Sequence, residues 1–115
     1  MRAEARRVLP RAIFDFVDGG AGDETTLRRN ESAFDAVSLL PRPLNGAAGR
    51  DLSITLTGHR LSLPLMVGPT GLAGLLWPDG EAAAARAAAA AGTAYCLSHG
   101  SVCTLEALAE TGARP

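Results

Sequence analysis

With 115 residues, 11 arginines and no lysine against 12 acidic side chains, the chain carries a formal charge of −1. That balance gives no long-range field to attract nucleic acid or an anionic membrane surface, so neither is an expected partner. Cys96 and Cys103 fit no zinc or redox spacing, no apolar run reaches about 18 residues and no apolar leader core opens the chain, so a reducing, cytoplasmic setting without a metal site is the reading.

Residues 1–17 read as helix, with Pro10 either opening a second helix at its first position or kinking a single one. Leu9, Ala12, Ile13, Phe16 and Val17 recur at helical spacing on one face, and Gly19-Gly20 is expected to end the element as a left-handed cap. Arg2, Arg6 and Arg7 make a basic first turn that reads as a solvated face. Asp23 is placed as the N-cap of a further helix through Leu27 to about Asn30, which accounts for the acidic group Asp18, Asp23 and Glu24 without a metal. Pro41-Arg42-Pro43 holds the following segment extended.

From Ser53 to Leu63 the pattern alternates, with Ile54 and Leu56 before Thr57-Gly58-His59 and Leu61 and Leu63 after it. This predicts a β-hairpin with Gly58 and an exposed His59 in the turn, placed to plug one end of a barrel. The next apolar run, Leu63 to Val67, predicts a strand buried on both faces, as in parallel sheets. It stops at Gly68-Pro69-Thr70-Gly71, where the glycines let backbone approach a ligand without an intervening Cβ.

Behind Trp77-Pro78 a helix is expected from Asp79 to Ala91, with the run from Glu81 to Ala91 combining high helix propensity with small side chains suited to close packing on a sheet. Gly92 closes it, Ala94 to Leu97 predicts a second buried strand, and Ser98-His99-Gly100-Ser101 opens the next loop. A last helix is expected from about Leu105 to Thr111. Cys96 reads as a small buried hydrophobe. Two successive strand, loop, helix units imply an α/β fold, either a barrel or a doubly wound sheet, with any site at the carboxyl ends of the strands. Both strands need neighbours that the chain does not contain, so residues 1–115, ending in Gly112-Ala113-Arg114-Pro115, are read as the front part of a larger, incomplete domain.

Several of these segments carry a more specific likeness. Phe14-Asp15-Phe16-Val17-Asp18-Gly19-Gly20-Ala21-Gly22-Asp23-Glu24, then Asn30 and Phe34, Pro64-Leu65-Met66-Val67-Gly68-Pro69-Thr70-Gly71, Trp77-Pro78-Asp79-Gly80-Glu81, Ala87 to Gly92, and Leu97-Ser98 follow one another in the order and spacing of a known family. The chain resembles the N-terminal part of the FMN-dependent α-hydroxy-acid dehydrogenases and oxidases, which include glycolate oxidase, L-lactate dehydrogenase and (S)-mandelate dehydrogenase. The resemblance implies a (β/α)8 TIM barrel of which this chain supplies the N-terminal helices, a capping hairpin and the first two barrel units. It implies FMN as cofactor, a small 2-hydroxy-acid substrate oxidised to the 2-oxo acid, and reoxidation by oxygen, a quinone or another acceptor. It also implies a homo-oligomer at full length.

By the same match, Pro69, Thr70 and Gly71 would contact the flavin, largely through backbone groups on its N5 and O4 side. Ser98 corresponds to a hydroxyl residue bonded to the flavin ring. Phe16 falls on the substrate side, at the third place of an aromatic-Asp-aromatic trio where the family usually carries Tyr, and loss of that hydroxyl weakens carboxylate binding by about 1 to 3 kcal/mol. Gly100 stands where glycolate oxidases carry Trp, and His99 has no counterpart in the family's chemistry. No catalytic residue is assigned here, because the family's proton-accepting His, its carboxylate-binding Arg residues and its flavin-stabilising Lys lie on later strands. Two other readings stand beside this one: a non-catalytic truncated fragment, and a different flavin reaction on a related barrel.

Overall fold

The computed structural model describes residues 1–44, 46 and 48–112. They fall into two compact units, Met1–Ala48 and Gly49–Pro115.

The first unit holds three helices. Pro10, with φ −54° and ψ 139°, is extended and lies just outside the second helix, so the N-terminal stretch is two helices, α1 (Arg2–Val8) and α2 (Arg11–Asp18). Lacking an N–H, Pro10 cannot continue α1, yet its carbonyl accepts from Ile13 and Phe14 at 3.0 Å each and so starts α2. Arg2 donates from Nε and Nη2 to the two carboxylate oxygens of Asp18 at 2.6 and 2.7 Å, pinning the start of α1 to the end of α2. Of the expected apolar face, Leu9 and Ile13 are half-buried, but Phe14 is the buried aromatic while Phe16 and Val17 are exposed. Phe16 is therefore no core residue within this unit.

Three further expectations change here. Gly19 is extended, with φ −84°, so α2 does not end in a left-handed cap. The glycine pair provides room instead: a Cβ on Gly20 would lie 2.9 Å from Leu27 Cβ. Asp23 is not the N-cap of the next helix, α3 (Thr25–Asp35); Glu24 occupies that place in a left-handed conformation, φ 57°, and its carboxylate reaches back to the Gly20 N–H at 3.2 Å. That hydrogen bond makes the chain reversal a closed loop, and α3 runs five residues beyond Asn30.

The second unit begins with the expected hairpin, β1 (Ile54–Leu56) against β2 (His59–Leu61), paired Ile54 with Leu61, Thr55 with Arg60 and Leu56 with His59. Thr57 and Gly58 both have positive φ, 48° and 82°, the type I′ geometry whose twist matches the strands. His59 is exposed but opens β2 rather than sitting in the turn.

The two core strands are present but short: β3 (Met66–Val67) lies parallel to β4 (Ala94–Tyr95), with Met66 beside Ala94 and Val67 beside Tyr95. Cys96 N–H to Val67 O, 3.0 Å, carries the ladder one residue further. Contrary to the expectation of burial on both faces, Leu65, Met66 and Val67 are exposed. A two-stranded sheet covered on one side leaves the rest of an apolar strand open, and among the described residues there is no closed barrel.

Between β3 and β4 the chain makes a one-turn helix that the sequence pattern does not announce, α4 (Ala73–Leu76), then α5 (Gly80–Ala90). At its far end α5 closes with paired bonds from Gly92 N–H to Ala89 O and Thr93 N–H to Ala88 O, both 3.0 Å, with Gly92 at φ 68°. This is a Schellman closure, available here because residue 92 has no Cβ. Ala85 and Ala88 of α5 pack on Tyr95 and on Leu108 of α6 (Leu105–Ala109), forming the unit's core with Ala84, Leu97 and Cys103 against it. Thr104 caps α6 by accepting from Ala107 N–H at 3.2 Å. Of the terminal Gly112-Ala113-Arg114-Pro115, only Gly112 is among the described residues.

Ser62, just after the hairpin, donates to Gly92 O at 2.8 Å, and Thr93 donates its hydroxyl to Leu65 O. These bonds set the hairpin at the amino ends of β3 and β4. The loops at their carboxyl ends, 68–72 and 96–104, open on the opposite side.

Candidate functional site

The loop leaving β3 and the loop leaving β4 are joined to each other. Leu72 N–H donates to Gly100 O at 3.0 Å, and a Cβ on Gly71 would sit 3.6 Å from Gly100 O and 3.7 Å from Ser98 Oγ. Gly71 and Ser98, on loops that follow neighbouring parallel strands, are thus brought into direct proximity, with Pro69 and Thr70 on the same short connection. Parallel pairing causes this: strands that run the same way send their next loops out of the same end.

Within that cluster three donors have no acceptor among the described residues. Ser98 Oγ accepts from Gly100 N–H at 3.2 Å, which fixes the hydroxyl oxygen and leaves its proton to donate elsewhere. The N–H groups of Thr70 and Gly71 make no hydrogen bond to another described residue. All three residues of Pro69-Thr70-Gly71 are exposed, and nothing lies within 4 Å of a Cβ built on Gly68. Two amide donors and one hydroxyl donor beside an open glycine face suit a flat, carbonyl-bearing heteroaromatic ring, which needs donors at its edge and no side chain over its face. FMN fits that description. Phe16 lies in the first unit, on α2, with 72% of its surface exposed. His99 is exposed and carries no side-chain hydrogen bond among the described residues.

What supports the two loops is a residue that pattern reading passes over. Glu81 opens the Ala-rich helix in sequence, yet it is 1% exposed, the one buried carboxylate among the described residues. Ser101 Oγ donates to Glu81 Oε1 at 3.2 Å and Val102 N–H at 3.3 Å, while the N–H groups of Glu81 itself and of Gly74 also donate to the carboxylate. Burial pushes this carboxyl up, but the four donors outweigh it and hold it below its ordinary value. Burial and the Glu81 charge together push the neighbouring Tyr95 phenol up. The one available signal for Glu81 was its place in the first turn of a helix, where a carboxylate meets free N–H groups.

A groove of about 800 Å³ lies elsewhere, along the hairpin and the unpaired edge of β4, where Leu61, Met66, Thr93, Tyr95, Leu97 and Leu105 are among its walls. None of Pro69, Thr70, Gly71 and Ser98 lines it. It presents few convergent polar groups, so the donor-bearing loops are the better candidate site.

Comparison with known proteins gives a consistent picture. Residues 5–115 match the family model described as FMN-dependent dehydrogenase. The chain is 44% identical over 114 residues to an L-lactate dehydrogenase of Caulobacter sp. (strain K31), covering 99% of this chain and 30% of that protein. To glycolate oxidase 3 of Arabidopsis thaliana it is 40% identical over 108 residues, 94% of this chain and 29% of the relative. Among solved structures, mandelate oxidase with 3,3-difluoro-2-hydroxy-3-phenylpropionic acid superposes with a TM-score of 0.88 at 40% identity, over 99% of this chain and 34% of that one. A soluble mutant of the membrane-associated (S)-mandelate dehydrogenase from Pseudomonas putida gives 0.82 at 40% identity, over 95% and 31%. The chain thus spans about a third of the length of the proteins it matches.

Proposed function

The chain belongs to the FMN-dependent dehydrogenase family, and from that premise we propose that its parent protein oxidises an L-2-hydroxy acid to the 2-oxo acid. The observation that carries the reading is the joined pair of loops. Thr70 N–H and Gly71 N–H donate to no other described residue, and Ser98, whose Oγ accepts from Gly100 N–H, stands beside Gly71 at the carboxyl ends of the two parallel strands, next to the open Gly68.

In this reading Pro69, Thr70 and Gly71 line the N5 and O4 edge of the flavin, and Ser98 donates to the ring. FMN, when bound, supplies a two-electron acceptor for the hydroxyl-bearing carbon of the substrate. The donors of this chain favour negative charge at the ring's polar edge, where electron density gathers on reduction. Pro69, which has no N–H, and the two flanking glycines keep the loop's face free of competing donors and side-chain bulk. Phe16 contributes an apolar wall on the substrate side in place of a phenol. The proton-accepting and carboxylate-binding groups are assigned to the rest of the barrel, which the two parallel units here would open. Reoxidation by oxygen, a quinone or another acceptor, a cytoplasmic location and assembly as a homo-oligomer complete the proposal.

The test is an absorbance spectrum of the purified protein expressed from its complete reading frame, before and after anaerobic addition of glycolate, L-lactate or (S)-mandelate. A bound flavin that bleaches with one of these acids supports the reading. A bound flavin that stays oxidised with every 2-hydroxy acid tried refutes the reaction while retaining the cofactor, and protein free of flavin after reconstitution with FMN refutes both.

A further inference from the structure

The flavin loops are held from behind by a single buried carboxylate. Glu81 receives donors from three separate places: Gly74 on α4, which follows the β3 loop; its own N–H at the start of α5; and Ser101 and Val102 in the loop after β4. The Ser101 hydroxyl is in turn braced by Cys103, accepting from its N–H and lying 3.0 Å from its carbonyl oxygen. Gly74 is part of the fit, because a Cβ there would lie 2.7 Å from Glu81 Oε2 and overlap Val102 Cγ2. In front of this clamp the two loops are bridged by Leu72 N–H to Gly100 O, which Glu81 does not itself make. Burying a charge is costly, and an apolar side chain of similar volume often holds a fold as well. The arrangement makes sense if the carboxylate fixes the relative position of two loops whose unpaired donors must face one ligand together.

We propose that Glu81 is a positioning residue for the flavin site, setting the register between the loop bearing Thr70 and Gly71 and the loop bearing Ser98. The inference rests on the functional reading above, and its consequences extend to the empty-handed protein as well. Replacing Glu81 by Gln keeps the shape but substitutes an N–H2 for one accepting oxygen, so that N–H groups face a donor. The loops then separate in front of the clamp, although no contact to FMN has been removed.

The experiment compares wild type, E81Q and Leu108→Ala in the flavin-loaded protein. Leu108 is fully buried in a core cluster that includes none of Pro69, Thr70, Gly71 and Ser98, so L108A is expected to lower the melting temperature without altering the flavin. For E81Q the expected result is an FMN Kd raised at least about tenfold and a shifted visible flavin band, with amide exchange at Leu72 accelerated by a similar factor. E81Q that melts early like L108A, yet keeps wild-type FMN affinity, flavin band and Leu72 exchange, overturns the proposal and leaves Glu81 a purely structural residue. Should E81Q not fold, Ser101→Ala removes one donor and is expected to move the same three readouts in the same direction by a smaller factor; no movement overturns the proposal too. If the wild type takes up no flavin, the functional reading falls separately, and Leu72 exchange in the apo proteins still decides whether Glu81 sets the loop register.

Discussion

Gly92→Ala should destabilise the protein well beyond the ordinary cost of placing a side chain at positive φ. Gly92 sits at φ 68°, where an L-residue loses about 1 to 2 kcal/mol relative to glycine. The added Cβ would also overlap Ser62 Oγ and come within 2.9 Å of Ser62 Cβ. Rotating the hydroxyl relieves only the first contact, so Ser62 must move bodily, and its N–H donates to Gly92 O at 2.8 Å. Overpacking of this kind costs about 1 to 3 kcal/mol, and loss of the hydrogen bond falls within that range, giving about 3 kcal/mol in all. Gly58→Ala is the matched control: φ is 82° but nothing lies within 4 Å of the new Cβ, so the backbone effect of about 1 to 2 kcal/mol stands alone. Equilibrium urea unfolding of wild type and both variants measures the difference. If Gly92→Ala costs no more than Gly58→Ala, to within about 0.5 kcal/mol, the contact between hairpin and helix closure has been given an energetic weight it does not have.

Three other outcomes are expected. Phe16→Tyr, at a ring that is 72% exposed, should leave stability within about 0.5 kcal/mol, while lowering KM for the 2-hydroxy acid by about five- to a hundredfold through the regained donor; an unchanged KM in steady-state assays counts against Phe16 on the substrate side. Gly68→Ala projects a Cβ into open space at an ordinary φ, so its thermal melt should match wild type while FMN affinity, read by flavin fluorescence titration, drops at least about tenfold; equal affinity would place the flavin off that face. Glu81 has a folded carboxyl below its ordinary value of 4.5, so its contribution is present above that value and is lost as pH falls through the lower folded value. Unfolding free energies measured from about pH 6 to about pH 3 should therefore decline more steeply for wild type than for E81Q, and parallel curves would sink the assignment.

The sequence by itself carried the order of elements wherever a local rule was strong. Thr57-Gly58 flanked by alternating apolar residues specified the hairpin, Gly92 the closure of the Ala-rich helix, and Gly68-Pro69-Thr70-Gly71 the loop after the first parallel strand, because turn geometry and capping depend on a few adjacent residues. Family motifs in register pointed to these loops and to Ser98 as the flavin contacts proposed above. Where two local solutions were close in energy, the tertiary structure chose. Pro10 separates two helices, and Arg2 at the start of α1 meets Asp18 at the end of α2; Glu24 rather than Asp23 precedes α3, its longer side chain reaching the Gly20 N–H; and Phe14 rather than Phe16 is buried. The sharpest case is Glu81. In a helix of alanines its charge marks a solvent-facing turn, and only the meeting of α4, α5 and the β4 loop supplies the donors that make a buried carboxylate stable. Local periodicity records which face a residue prefers on average. Burial of a charge depends on partners from distant parts of the chain, and those exist only once the fold has brought them together.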